Sequence, residues 1–181
     1  MSEPLSHHIV YGTLSDYLTG EELTDTDDER FRQQLAKMMV EEKGYDREQL
    51  EPRLFIETLF SSQFVRSTID ITVSCCGKRA LVLRYGPGSL VSRERSAIAA
   101  ARVIDKLYQL PLAVVTNGRD AELLDTADGR VLATGMEAIP NSEKIEELLE
   151  GLDFRPPLED KKRERELRIL NAFDVQICCR K

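Results

Sequence analysis

Apolar and polar residues alternate along the middle of the chain, a pattern that is typical of β-strands. The predicted strands are residues 54–60, 66–74, 79–85, 112–116, 121–126 and 131–134. In the second strand, Ile69, Ile71 and Val73 are predicted to share one face, with Asp70 on the opposite, polar face. Turn signals such as Cys76-Gly77-Lys78 separate the strands and predict hairpins.

Helical periods precede, interrupt and follow these strands. The first predicted helix begins near Thr26, and three further helices are predicted over residues 92–108, 142–150 and 158–170. Residues 1–23 show no clear period. Residues 173–179 are predicted to add an edge strand. This order predicts a mixed α/β domain over residues 1–151, with one mixed β-sheet flanked by helices. Residues 152–181 form a linker, a charged helix and the edge strand, which we expect to pack on the same domain.

Charge is unevenly distributed along the 181 residues. The formal net charge is -7, which argues against bulk, nonspecific binding of nucleic acid. Residues 78–106 nevertheless contain seven basic and two acidic residues, so this stretch carries +5 and the remainder -12. A basic island in an acidic protein indicates a local binding surface for anions.

Compartment and metal content follow from the remaining composition. No apolar run approaches the ~20 residues of a membrane helix, and the first residues lack a secretory pattern, so we expect a cytoplasmic protein without membrane contact.

The four cysteines form two adjacent pairs, Cys75-Cys76 and Cys178-Cys179. Adjacent strand residues point to opposite faces, so each pair is expected to offer one sulfur to a shared site. The Cys-x2-4-Cys spacing of zinc sites is absent, which favours reduced thiols, and His7 and His8 receive no ligand role.

Four segments together resemble the N-terminal domain of type I restriction enzyme R subunits, a family within the PD-(D/E)xK nuclease superfamily. They are TDDERFRQQLAKMMVEEKGY, RSTIDITV, SCCGKRALVLRYG and LPLAVVTNGRDAELLDT, and the resemblance spans residues 24–136. It implies a restriction-endonuclease-like fold. The chain contains no helicase motor, so we expect it not to be a complete R subunit.

The resemblance also implies where a nuclease site would lie. In the family, a carboxylate on the first helix, an aspartate on the second strand and Glu-x-Lys on the third hold a divalent metal that activates water. Glu29 and Asp70 match the first two positions. At the third, this chain has Arg84-Tyr85-Gly86. We therefore expect a remnant site without a bound cofactor, in which an Asp70–Arg84 ion pair occupies the position of the metal.

Each of these residues also has a plainer interpretation. Asp70 is compatible with a solvated polar face, and Glu29 with a capping box that begins at Thr26. Under the alternative that the protein is a divergent Mg2+-dependent nuclease, Asp70 would work with a relocated carboxylate, Glu57 or Glu94.

The loop GPGSLVSRERS and the helix after it form the second candidate site. A helix N-terminus presents free N–H groups to an anion, and arginines there are disfavoured unless an anion binds. The candidate residues for binding anions or nucleic acid are Arg84, Ser89, Ser92, Arg93, Arg95, Arg102 and Lys106. Alternatively, Arg93, Glu94 and Arg95 only solvate the first turn of this helix.

Three functions remain open. The leading hypothesis is a noncatalytic nuclease-like module that binds a nucleic-acid backbone or a protein partner. The others are a divergent endonuclease and a structural or regulatory protein that contacts partners through its acidic helices or through residues 175–179.

Overall fold

The computed structural model describes residues 9–178, with side chains through residue 174. The histidine pair His7-His8 and the thiols of Cys178 and Cys179 lie outside this description. The strands are β1 (Gly12–Ser15), β2 (Glu22–Asp25), β3 (Leu50–Phe60), β4 (Gln63–Cys75), β5 (Lys78–Tyr85), β6 (Leu112–Thr116), β7 (Ala121–Asp125) and β8 (Val131–Thr134). The α-helices are α1 (Asp27–Glu41), α2 (Val91–Val103), α3 (Ser142–Glu150) and α4 (Asp160–Cys178), with 3-10 turns at Arg47–Gln49 and Met136–Ala138.

Six strands form one mixed sheet in the order β3-β4-β5-β6-β7-β8. All neighbours are antiparallel except β5 and β6, which are parallel because α2 provides the crossover between them. Strands β1 and β2 pair separately as a hairpin. The mixed α/β architecture predicted from the sequence is confirmed.

The ends of the helices show where a local sequence signal was enough to predict a helix boundary. The Thr26 hydroxyl accepts a hydrogen bond from the Glu29 N–H at 3.2 Å and caps α1 as predicted. Helix α2 ends at Val103, five residues before the predicted end, and Leu107, which falls within the predicted helix, is 78% exposed. The apolar period continued past Val103, but these last residues form an irregular loop.

Two cores cover the two faces of the sheet. One contains α1, α3 and the residues Ile71 and Val73 of β4, and the other contains α2, α4 and Ile69. The prediction that Ile69 shares a face with Ile71 is therefore wrong. The alternation shifts at Asp70, where the partner strand has Arg53 in a left-handed conformation with φ of 51°.

The C-terminal segment differs from the sequence prediction. Residues 173–178 continue α4, so the predicted edge strand is wrong there, and residue 179 lies outside the described part of the chain. Leu170 of α4 is buried, and the Asn171 amide donates to Thr58 Oγ1 at 2.9 Å and to the Gln63 carbonyl at 3.2 Å. Burial against the sheet and α2 makes a helix the favourable state. No helix within residues 9–178 has the length and apolar character to cross a membrane.

Candidate functional site

Asp70 is the centre of a buried polar site on the α1 side of the sheet. Its side chain is 3% exposed, and its carboxylate accepts the Arg32 Nε–H at 2.5 Å and the Tyr85 backbone N–H at 2.7 Å. The shift in alternation at Asp70 turns this carboxylate toward α1 and away from α2. The sequence prediction of a polar, solvated face for Asp70 is therefore wrong.

Arg32 joins Asp70 to the second predicted carboxylate. Its Nη1 lies 3.1 Å from Glu29 Oε2, and Gln33 Nε2 donates to Glu29 Oε1 at 2.8 Å. Glu29 is buried, so its carboxylate is used in this network and its backbone N–H in the helix cap. A single guanidinium thus spans the two carboxylates that the resemblance assigns to the metal.

A third carboxylate, Asp16, completes the site from the loop after β1. It pairs with Arg53 and accepts Gln33 Nε2 at 3.0 Å, while the N–H groups of Leu18 and Thr19 donate to its other oxygen. We call Asp16, Glu29, Asp70, Arg32 and Arg53 the acidic cluster.

The sequence analysis did not identify Asp16, Arg32 or Arg53. Asp16 and Arg53 carried no sequence signal, because loop positions and a left-handed strand residue have no period. Arg32 did carry one, because it lies three residues after Glu29 and therefore on the same side of the helix.

Within the acidic cluster, the pKa of Asp16 is lowered and the pKa of Asp70 is raised. For Asp16, burial opposes the charged form, but hydrogen bonds from Arg53, Thr19 N–H and Gln33 outweigh it and lower the pKa to about 2. For Asp70, burial dominates and raises the pKa, although Arg32 and the Tyr85 N–H act against it. Burial also opposes the charge on Arg32, but Asp70 and Glu29 outweigh it and raise the pKa of the guanidinium.

Arg84 lies on the other face of the sheet, so the predicted Asp70–Arg84 ion pair is wrong. Its guanidinium donates to Asp174 at 3.1 and 3.2 Å and to Ser96 Oγ at 3.1 Å. The next residue of β5, Tyr85, faces α1, and its ring stacks on Phe31 with centroids 4.0 Å apart. Neighbouring strand residues point to opposite faces, which places Arg84 beside α2 and α4.

Two further arginines converge on a carboxylate of α4. Arg95 and Arg102 lie 2.8 and 2.9 Å from the Glu166 carboxylate. Burial acts to raise the pKa of Glu166, but these hydrogen bonds outweigh it and lower the pKa. We call Arg84, Arg95 and Arg102, with Glu166 and Asp174, the arginine face.

Of the remaining anion-binding candidates, Arg93 lies near Arg84 and Asp174, and burial and the Arg84 charge lower its pKa, whereas Ser89, Ser92 and Lys106 lie on exposed surface. Arg93 donates to the Pro87 carbonyl at 2.8 Å, and its guanidinium occupies the space next to Gly86 that a side chain there would take. Ser92 donates to the Ser89 carbonyl at 2.9 Å, and both serines are exposed. Lys106 is exposed in the loop after α2 instead of on the helix.

The two relocated carboxylates of the nuclease alternative lie in other surroundings. Glu57 pairs with Arg66 at 2.6 Å on an exposed strand surface. Glu94 is next to Glu122, whose pKa is raised by burial and by the Glu94 carboxylate. Among residues 9–178, no group of three or more His, Cys, Asp or Glu side chains is arranged to hold a metal ion.

The comparison with known families found a match to the segment that contains α1, α2 and the six-stranded sheet. The family model for the type I restriction enzyme R protein N terminus (HSDR_N) matches residues 27–140, more than half of the chain. The chain belongs to this family. The matched segment contains Glu29, Arg32, Arg53 and Asp70, but it ends before α4. No curated protein and no solved structure matched the chain.

Proposed function

We propose that this member of the R-protein N-terminal family is a noncatalytic nuclease-like module, which binds a partner and does not cleave nucleic acid. The observation that carries the proposal is the position of Arg32, which contacts Asp70 at 2.5 Å and Glu29 at 3.1 Å. These are the two carboxylates that the family resemblance assigns to the divalent ion.

The donor set around Asp70 does not fit a divalent cation. Mg2+ requires oxygen ligands in an octahedron, but the two carboxylates are already bound by a guanidinium that carries its own positive charge. An arginine does not lose its proton in a protein, and the raised pKa of Arg32 strengthens this. A cation would have to displace Arg32 and leave its charge without a partner, which is costly in a buried site.

Cleavage of plasmid DNA tests the noncatalytic role. Wild type, Asp70→Ala and Asp70→Asn are incubated with supercoiled plasmid in Mg2+ and in Mn2+, and nicked product is quantified. We expect the same background from all three proteins. Nicking by wild type that disappears in both Asp70 variants would overturn the proposal.

Arg32→Gln is the matched variant for the same assay, because it removes the guanidinium and keeps an amide donor. Binding of Mn2+ is measured in parallel by electron paramagnetic resonance. We expect no bound ion in wild type. A wild-type protein that binds one Mn2+ and loses it with Asp70→Asn would contradict the role assigned to Arg32.

The first kind of partner that we propose is a nucleic-acid backbone, which would bind at the arginine face. Three guanidiniums lie on one surface, but Glu166 and Asp174 hold them at 2.8 to 3.2 Å, so phosphates would have to compete with these two carboxylates. Glu166→Gln with Asp174→Asn removes both competitors. We expect the double variant to bind a labelled duplex at least tenfold more tightly than wild type, with an affinity that falls steeply with salt.

The matched control for that experiment is Glu164→Gln with Asp160→Asn, which makes the same charge change on the exposed side of α4. Fluorescence anisotropy at two salt concentrations measures all three proteins. Equal gains in affinity for both double variants would reflect net charge alone and would contradict a role of the arginine face.

A protein partner is the second form, and the β3–β4 hairpin favours it. The hairpin surface that faces away from α4 carries three exposed apolar side chains, Phe55 (51% exposed), Leu59 (65%) and Phe64 (61%). Leu59 and Phe64 are directly paired across the hairpin, and contiguous exposed apolar side chains mark contact surfaces. We expect capture of a partner from nuclease-treated extract to be lost with Phe55→Ser and Phe64→Ser and retained with Val131→Ser, an exposed apolar residue on the far edge strand. Retention of the partner by all variants would contradict binding through this surface.

A cytoplasmic location remains part of the proposal.

A further inference from the structure

Two thiols meet at the turn between β4 and β5. The Sγ atoms of Cys75 and Cys76 are 3.6 Å apart, although adjacent strand residues were expected to point to opposite faces. The expectation fails because Cys76 has left-handed backbone with φ of 53°, and Gly77 follows with φ of 76°. This turn brings the second sulfur back over the first, with Cys75 buried and Cys76 exposed.

The separation of the sulfurs suits chelation better than a disulfide. With bonds of about 2.3 Å from each sulfur to a soft centre, a separation of 3.6 Å corresponds to an angle of about 103° at that centre, close to tetrahedral. A disulfide requires sulfurs about 2.0 Å apart and Cα atoms at least about 4.4 Å apart. Adjacent residues have Cα atoms only about 3.8 Å apart, so a disulfide here would be strained.

The surroundings limit which centre fits. A structural zinc ion takes four ligands, and in the described part of the chain no third His, Cys, Asp or Glu is grouped with the two sulfurs. We propose that Cys75 and Cys76 form a two-sulfur site for monosubstituted trivalent arsenicals, a class of thiophilic compounds with two exchangeable positions.

The reaction balances without an oxidant. Each thiol sulfur forms a bond to arsenic, the arsenic–oxygen bonds of the arsenoxide break, and the oxygen leaves as water with the two thiol protons. Burial raises the pKa of Cys75 to about 11, with Cys76 and Glu146 adding to the shift. The exposed Cys76 therefore attacks first and Cys75 closes the ring.

Phenylarsine oxide and intact-protein mass spectrometry test the site. The full chain carries Cys178→Ser and Cys179→Ser so that only the first pair can react. We expect one phenylarsine adduct per chain that survives excess monothiol and is removed by 2,3-dimercaptopropanol. Cys75→Ser and Cys76→Ser should each lose the monothiol-resistant adduct, whereas a single-cysteine variant that keeps it would overturn the chelate.

Two further measurements test whether the folded turn contributes to chelation beyond the adjacency of the two cysteines in the sequence. The dimercaptopropanol concentration that removes half of the adduct is compared between the native chain and the chain in guanidinium chloride. We expect the native chain to need at least tenfold more, because its two sulfurs are already positioned. Equal concentrations would overturn the role of the turn, and Zn2+ retained by the two thiols after dialysis would overturn the choice of a two-ligand centre.

Discussion

The two faces of the sheet carry opposite arrangements of charge at adjacent strands. On the α1 side, the acidic cluster surrounds two guanidiniums with three buried carboxylates. On the α2 side, the arginine face surrounds two carboxylates with three guanidiniums. Asp70 and Arg84 lie on neighbouring strands, but the sheet separates them, so each is neutralised by a helix on its own side.

The origin of the counterions differs between the faces. Four of the five members of the acidic cluster lie in the segment that the family model matches, whereas both carboxylates of the arginine face come from α4, beyond that segment. Most of the acidic cluster therefore lies within the matched segment, whereas the three guanidiniums of the arginine face are only partly neutralised, by two carboxylates of a helix outside that segment. We expect the cluster to stabilise the core and the arginine face to be sensitive to changes in α4.

Removal of Asp70 is expected to have the largest effect. Asp70→Ala leaves the partly buried Arg32 and the Tyr85 N–H without their acceptor, and we expect a loss of about 4 kcal/mol in the free energy of unfolding. Urea denaturation measures it, with the exposed Asp153→Ala as control, for which we expect less than about 0.5 kcal/mol. Similar midpoints for both variants would contradict the central role of Asp70.

Glu166 tests the opposite face. Glu166→Gln removes the charge that holds Arg95 and Arg102, and we expect a loss of about 2 to 3 kcal/mol. The effect should be smaller than that of Asp70→Ala because Arg95 is 41% exposed and regains water. Glu164→Gln on the same helix is the control, and a loss equal to that of Glu166→Gln would show that α4 is sensitive to charge in general.

The dependence of stability on pH distinguishes the carboxylates further. The folded pKa of Asp16 is about 2, below its ordinary value of 3.8, so its stabilisation is present above pH 3.8 and is lost as the pH falls through 2. We expect Asp16→Asn to cost about 2 kcal/mol at pH 7 and only about 0.4 kcal/mol at pH 2. Unfolding curves from pH 2 to 7 measure this, and parallel profiles for wild type and variant would contradict the lowered pKa.

The stacked rings beside the acidic cluster give the smallest effect. In a double-mutant cycle of Phe31→Leu and Tyr85→Leu, we expect a coupling of about 1 kcal/mol in unfolding free energy. The same cycle with Phe31→Leu and Tyr108→Leu should give no coupling, because Tyr108 packs against Phe154 elsewhere. A coupling near zero in the first cycle would place Tyr85 away from α1.

Prediction from sequence succeeded where the signal is local. Alternation, turn residues and the Thr26 cap located the sheet strands and the start of α1 to within a few residues, except for the β1–β2 hairpin. It failed at the site, where a break in alternation at Asp70 reverses which side of the sheet each residue faces. The Asp70–Arg84 pair was predicted because the family resemblance assigns both residues to the metal site, but a single irregular position placed them on opposite faces of the sheet.

The sequence by itself determined the mixed α/β class, because the class depends on periodicity, and the resemblance of four segments to a known family indicated the family and assigned Glu29 and Asp70 to the site. Only the tertiary structure decided which cation meets which carboxylate. Arg32 reaches Asp70 because α1 crosses β4 at the position where the strand alternation shifts. Arg84 reaches Asp174, 90 residues away, because α4 folds back over α2. Ion pairs join residues that are distant in the chain, and their geometry is fixed only when the helices pack on the sheet.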